Sequence, residues 1–255
     1  MAFGQNSSNF FRALPPVIKN LLIINVIFFA GTWILSQTTD IDLSKYLALY
    51  YIKSDFFYPH QFVTHMFMHG SIGHIFFNMF ALWMFGIILE QLWGSKKFLK
   101  FYIICGLGAA LFQTGVMYIQ ELYYTSHLTQ DQIKMIAEEG YSILQQSKNY
   151  TNSAASGYNA LLNIPMVGAS GAIFGVLMAF GMYYPNSKLY LLFPPIPIKG
   201  KYAAIIALVF GYIVDKWFGG GNVAHFAHLG GMLTGYIMIK IWKRKSNNDN
   251  FYEQL

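Results

Sequence analysis

At 255 residues the chain is long enough for one or two domains, yet 55% of it is hydrophobic, 18% aromatic and only 11% charged, with a mean hydropathy of +0.38. A soluble domain carries about 25% charged residues, so this composition excludes an ordinary water-soluble globule, and no polar block is long enough to form one alongside. The net charge of +6 and pI of about 9.2 come without the one-sided basic patch that nucleic acid requires, and the single Cys105 excludes an internal disulfide. The chain reads as one all-α, polytopic membrane domain with the lipid bilayer as its surroundings and no nucleic-acid partner.

Residues 1–16 form a short N-terminal segment. The first apolar run, Val17–Ser36, lies deep in the chain and lacks a small-residue cleavage site, so it reads as a retained span rather than a signal peptide. A membrane helix needs roughly 20 largely apolar residues. The further runs near that length are Ile72–Leu92, Phe98–Ile119, Val167–Tyr184, Tyr202–Phe218 and Val223–Trp242. Between the first two, Gln37–Ser71 carries Tyr46, Tyr50, Tyr51, Phe56, Phe57 and Tyr58, a composition suited to the lipid–water interface. Gln120–Ile164 is polar. Within it Thr129 and Gln132 predict a capping box, and Ile133, Ile136, Ala137, Tyr141 and Leu144 recur at helical spacing. An amphipathic outer helix followed by a Ser/Asn/Gly-rich connector is expected there. The fourth run is short and contains Ser170, which suits a helix enclosed by protein. The tail, residues 243–255, is charged and polar and is expected to fray.

The basic residues set an orientation. With the N-terminus inside, the cytoplasmic stretches hold Arg12, Lys19, Lys96, Lys97, Lys100, Lys188, Lys199, Lys201, Lys240, Lys243, Arg244 and Lys245. The opposite side holds Lys45, Lys53, Lys134, Lys148 and Lys216. Positive charge collects on the cytoplasmic side of membrane proteins. Both termini are therefore expected inside, and Ser170 opens a helix that starts from the outer side.

Polar groups at lipid depth are costly and mark function. Gly168-Ala169-Ser170-Gly171 places a serine between glycines at the mouth of one span, and a later span carries His225 and His228. Small residues commonly serve only for close packing, and Gly171/Gly175 and Gly231/Gly235 are both small-xxx-small faces. Here the two readings reinforce each other, because close contact of those helices brings Ser170 and His228 within hydrogen-bond reach. No carboxylate lies near either residue in these spans, so a dyad is implied rather than a triad. His74 and Asn78, four apart, project from one helix face. They are either an interhelical hydrogen-bonding pair or donors aimed at developing negative charge.

A competing site is a metal, since His65, His69 and His74 cluster in sequence and His225 with His228 adds two more imidazoles. No carboxylate accompanies them, and a metal leaves the serine motif unexplained. The expectation is no metal and no cofactor. A transporter with an ion path through its polar residues is another alternative.

The chain resembles the rhomboid intramembrane serine proteases. The resemblance rests on His69-Gly70, Gly73-His74 with Asn78-Met79, Glu90, Trp93-Gly94, Gly168-Ala169-Ser170-Gly171 with Gly175, and Ala224-His225 with His228, Gly231 and Gly235. It implies a six-transmembrane-helix bundle with a water-filled pocket open to the outer side. Ser170 would be the nucleophile and His228 the general base and acid. His74, Asn78 and the Ser170 backbone amide would form the oxyanion hole. Gly168, Gly171 and Phe174 would support and position the substrate, and His69, His225, Gly231 and Gly235 would be structural. Phe174 stands where many relatives have a tyrosine beneath the histidine. The resemblance also implies transmembrane protein substrates and a multi-pass protein of the bacterial inner (plasma) membrane. A proteolytically inactive rhomboid-like chaperone is the alternative within the family.

Overall fold

The computed structural model describes residues 14–39, 41–190, 195–218 and 224–252, and for 214–218, 224 and 245–252 the backbone alone. Arg12 and Val223, with most of the N-terminal segment, lie outside the described residues, as do the side chains of Lys216 and Lys245. Helices α1 (Pro16–Thr38), α2 (Ile72–Trp93) and α3 (Ser95–Thr125) are each long and apolar enough to cross a membrane. A pair of shorter helices follows, α4 (Gln130–Gln145) and α5 (Ser153–Asn163), then α6 (Ser170–Tyr183), a two-stranded hairpin β1 (Lys188–Tyr190) and β2 (Pro197–Lys199), α7 (Ala203–Phe218) and α8 (Ala224–Tyr252).

Large apolar side chains such as Ile27, Trp33, Phe77, Leu111 and Phe210 are exposed around the bundle. They far exceed the apolar patches a soluble monomer shows, which fits a surface solvated by lipid. The core lies around α6, where Gly171 through Leu177 are all buried and α8, α3 and α2 pack on its sides. At 1.5 Å per residue, its 14 residues span only about 21 Å, against a hydrocarbon core of about 30 Å. The helix alone is shorter than that thickness, and the residues leading into it, Gly168 and Ala169, are buried within the protein.

Buried Glu90 explains how α1 begins. The residue before the helix is Pro15, whose side chain offers no cap, and Glu90 of α2 supplies one across the bundle. Its carboxylate accepts from the backbone N–H groups of Val17 (2.9 Å) and Ile18 (2.8 Å) and from the Ser95 hydroxyl (2.7 Å). These are the orphan donors of a first helical turn, placed where an anion favours the helix dipole. Glu90→Ala is expected to destabilise the fold by about 2–4 kcal/mol, since hydrogen bonds to charged groups contribute about 1.5–3 each. Glu90→Gln, which keeps one acceptor, should lose less. Unfolding in mixed micelles checks both. Four residues later, Gly94 at φ 78° turns the chain directly from α2 into α3, a conformation that favours glycine.

Two expectations need correction. The connector after the outer helix is itself helical over Ser153–Asn163. Asn152 caps it, its side chain accepting from Ala155 N–H, and Ala155, Tyr158, Leu161 and Leu162 bury one face against Tyr51, Met117 and Ile136. In the Gln37–Ser71 loop, Tyr50 and Tyr51 are buried, while Tyr46 and Tyr58 stay exposed as a partly interfacial segment requires. The tail beyond Trp242 continues α8 as far as Tyr252, because no glycine or proline follows to stop it.

Candidate active site

Ser170 is the first residue of α6, and Ala169 before it provides no side-chain cap. The first N–H groups of this helix are therefore not engaged by a capping side chain. From α8, His228 approaches so that its Nε2 lies 2.8 Å from Ser170 Oγ. The imidazole lies flat on Phe174, one turn along α6, with ring centroids 4.3 Å apart and planes at 19°. Serine, histidine and stacking ring thus come from two helices whose separation is set by glycine. A Cβ on Gly231 would fall on the Gly171 carbonyl, and one on Gly235 would lie 2.9 Å from the Gly175 Cα. Gly175 is also where the buried Cys105 packs.

Gly168 adopts φ 122°, which again favours glycine. A Cβ there would lie 2.7 Å from His74 Nε2 and 3.5 Å from Ser170 Oγ, so the missing side chain leaves room for the His74 ring beside the serine. Asn78, one turn further along α2, is buried, and its Nδ2 makes no hydrogen bond among the described residues. A buried amide donor left without a partner is rare in a folded protein and calls for a functional explanation. His228 Nδ1 is likewise buried without a hydrogen-bond partner.

The remaining histidines divide by contact. His69 is buried and meets His74 edge-on, with ring centroids 5.0 Å apart. Burial, reinforced by His74 and weakly opposed by the Phe67 backbone, pushes its pKa down to about 4. Among the described residues neither His69 nitrogen has a hydrogen-bond partner of ordinary geometry, and the ring packs against His74. His225 stands between Tyr212 and His228, edge-on to both at 5.2 and 6.1 Å. His65 Nδ1 bonds the Gln61 carbonyl at 2.8 Å, and burial lowers its pKa to about 4. Both His65 and His69 are thus neutral near pH 7. Among the described residues no three of His, Cys, Asp and Glu converge as a metal-holding group.

Sequence reasoning missed what holds the loop before Ser170. Leu49 and Met166 exchange two backbone hydrogen bonds (2.9 and 2.8 Å), and the Gly168 N–H donates to the His65 carbonyl at 2.9 Å. The strand-like Leu49 segment is in turn tied to the top of α3. Buried Glu121 accepts from the Tyr51 hydroxyl at 2.6 Å and from Lys53 Nζ at 2.8 Å. No local pattern announces such contacts, because their partners lie about 70 residues apart.

The apolar helices, the lipid-suited exterior and this polar cluster inside it define an integral membrane protein with a serine and an imidazole joined across two helices. Its kinship is specific: the model of the rhomboid domain matches residues 57–245, so the chain belongs to the rhomboid family. It is 28% identical to Rhomboid protein 1, mitochondrial, of Saccharomyces cerevisiae over 89% of this chain and 54% of that protein. To Rhomboid protease AarA of Providencia stuartii it is 29% identical, over 68% of this chain and 52% of that protein. To Rhomboid protease GlpG of Yersinia pestis it is 30% identical, over 56% of this chain and 55% of that protein. The chain spans about half the length of these relatives.

Proposed function

We propose that the protein is an intramembrane serine endopeptidase that hydrolyses peptide bonds in or near the transmembrane segment of other membrane proteins. The observation that carries this reading is the 2.8 Å contact between Ser170 Oγ and His228 Nε2, with the imidazole stacked on Phe174. His228 Nε2 takes the hydroxyl proton as Ser170 Oγ bonds to the scissile carbonyl carbon. The carbonyl oxygen becomes an oxyanion, met by the Ser170 N–H, Asn78 Nδ2 and the His74 imidazole. Collapse of that intermediate breaks the C–N bond, and His228 gives its proton to the leaving amine. Water then attacks the acyl-enzyme, losing a proton to His228, and the proton returns to Ser170 as the acid leaves. His228 Nδ1 has no hydrogen-bond partner among the described residues, so the orientation of the imidazole rests on Phe174 below and His225 beside it. Asn78→Ala is expected to lower turnover by up to about 10²–10³-fold, the effect of one oxyanion donor, with the melting temperature held. Kinetics with a single-span substrate beside a thermal melt check it.

The reading includes six spans, α1 to α3 and α6 to α8, with both termini cytoplasmic in a bacterial inner membrane. The lysine distribution supports that orientation, in which Ser170 lies nearer the extracytoplasmic face. A substrate helix shields its carbonyls with backbone hydrogen bonds, so attack needs local unwinding. Glycine or proline near the cut lowers that cost. The test reconstitutes the protein with single-span substrates varied beside the cleavage point. Small residues with a nearby helix breaker should be cleaved on the outer side, while an uninterrupted leucine-rich helix should resist. Equal cleavage of both, cuts in the cytoplasmic half, or binding without cleavage would defeat the proposal; the last would indicate an inactive, chaperone-like relative.

A further inference from the structure

The hairpin joining α6 to α7 was not foreseen from sequence, and its register places charge unusually. Lys188 lies directly opposite Lys199, Leu189 opposite Ile198 and Tyr190 opposite Pro197. Side chains alternate across a strand, so Leu189 and Ile198 share the half-buried face, with Leu189 packed on the main core. Lys188, Lys199 and Tyr190 share the other face and are exposed. The next pair out, Ser187 and Gly200, is hydrogen-bonded (Gly200 N–H to Ser187 carbonyl, 2.8 Å). Lys188 and Lys199 are therefore a non-hydrogen-bonded pair, the type in which side chains lie closest. Like charges directly opposite on a sheet face are destabilising. Neither ammonium makes a hydrogen bond, ion pair or aromatic contact among the described residues. The nearby cations differ: Lys243 Nζ donates to the Met182 carbonyl at 3.1 Å and lies over Tyr183, Lys97 lies over Trp242 and Lys201 over Tyr202.

No carboxylate whose side chain is described offsets this charge. Among residues whose side chains are described, Asp42, Asp55, Glu121, Asp131, Glu138 and Glu139 all lie in the segments at the opposite end of the bundle, and Glu90 is buried as the cap of α1. Exposed Tyr190 and Ile196 flank the lysine pair with apolar surface. A facing pair of free ammonium groups, a phenol beside them and an apolar border match a phosphate diester whose acyl chains continue into the membrane.

We propose that the outer face of this hairpin, Lys188 and Lys199 with Tyr190, binds the phosphate of an anionic phospholipid in the leaflet on the α6–α7 side. Which leaflet that is rests on the orientation proposed above; the binding itself needs neither that orientation nor the catalytic reading. The lysines would hold the phosphate between them, relieving their repulsion, and so fasten the connection between the helix that carries Ser170 and α7.

The test measures anisotropy of a fluorescent short-chain phosphatidylglycerol added to the full-length protein in neutral detergent. The variants are Lys188→Gln with Lys199→Gln, and Lys134→Gln with Lys148→Gln at the other end as control. At about 1 kcal/mol for each lysine near an anionic surface, the first double variant should bind about 10–30-fold more weakly. The control and Ser170→Ala should bind as the parent protein does, and circular dichroism should remain unchanged. Unlabelled phosphatidylglycerol should compete, and phosphatidylcholine of the same chain length should not. Equal binding by the first double variant, equal loss in the control, or competition by phosphatidylcholine would overturn the proposal. Displacement by millimolar inorganic phosphate as effective as by phosphatidylglycerol would show a free-phosphate site and overturn the lipid assignment. A protein that binds lipid as expected but cleaves nothing would defeat only the protease reading.

Discussion

Ser170→Ala and His228→Ala are each expected to lower the rate of substrate cleavage by about 10⁴–10⁶-fold, with the double variant little worse than either. The reason is that neither group has a partial function to retain. A serine hydroxyl is a weak nucleophile until a base takes its proton, and in the proposed reaction that base is His228, whose Nε2 lies 2.8 Å from Ser170 Oγ. Removing the serine leaves the imidazole without a nucleophile, and removing the imidazole leaves an inert alcohol. The effects therefore cannot add. Residual turnover should come only from substrate positioning and the oxyanion donors. Single-turnover cleavage of a reconstituted single-span substrate by the three variants reads this directly, with a thermal melt to establish folding. Substantial cleavage by folded Ser170→Ala would remove the serine from the chemistry. A double variant far slower than both singles would mean that the two side chains act independently.

What is legible in this sequence follows from how local each signal is. Long apolar runs mark α1, α2 and α3 because a chain in lipid must satisfy its backbone within the helix itself. Thr129 and Gln132 announce the start of α4 because a capping box is a four-residue device, and both of its hydrogen bonds are present. Misreadings arise where composition and periodicity disagree. Ser153–Asn163 has the composition of a loop, yet Ala154, Ala155, Tyr158, Leu161 and Leu162 repeat at helical spacing and are buried. The Lys188–Lys199 hairpin hides among prolines, which argue against strand. Nothing local marks Glu90 as the cap of α1, because its partners stand 72 and 73 residues away. The site divides in the same way. Gly168-Ala169-Ser170-Gly171 and His228 stand out locally as polar groups set among small residues. The Leu49–Met166 pairing and the His65 carbonyl on Gly168 do not, because backbone groups carry no sequence signature.

Gly231→Ala is expected to be the most damaging glycine-to-alanine change among the described residues. Its Cβ would land on the Gly171 carbonyl and lie 2.8 Å from the Gly171 carbonyl carbon and 3.3 Å from its Cα. Those are backbone atoms of a buried helix, with no flexible side-chain end to move aside. Relief must come from separating α6 and α8. Overpacking of this kind costs about 1–3 kcal/mol, so the protein should still fold with a lowered melting temperature. Activity should suffer more than stability. Ser170 precedes Gly171 on α6, and His228 lies one turn before Gly231 on α8, so any separation lengthens the 2.8 Å contact between them. A misplacement near 1 Å costs about 10²-fold in rate. Gly115→Ala on α3, where an added Cβ meets nothing within 4 Å, is the matched control and should change neither property. Melting temperature and cleavage rate for the two alanine variants, measured in one detergent, test the claim. If Gly231→Ala cleaves at the parental rate, glycine contact between α6 and α8 does not set the distance on which the proposed chemistry depends.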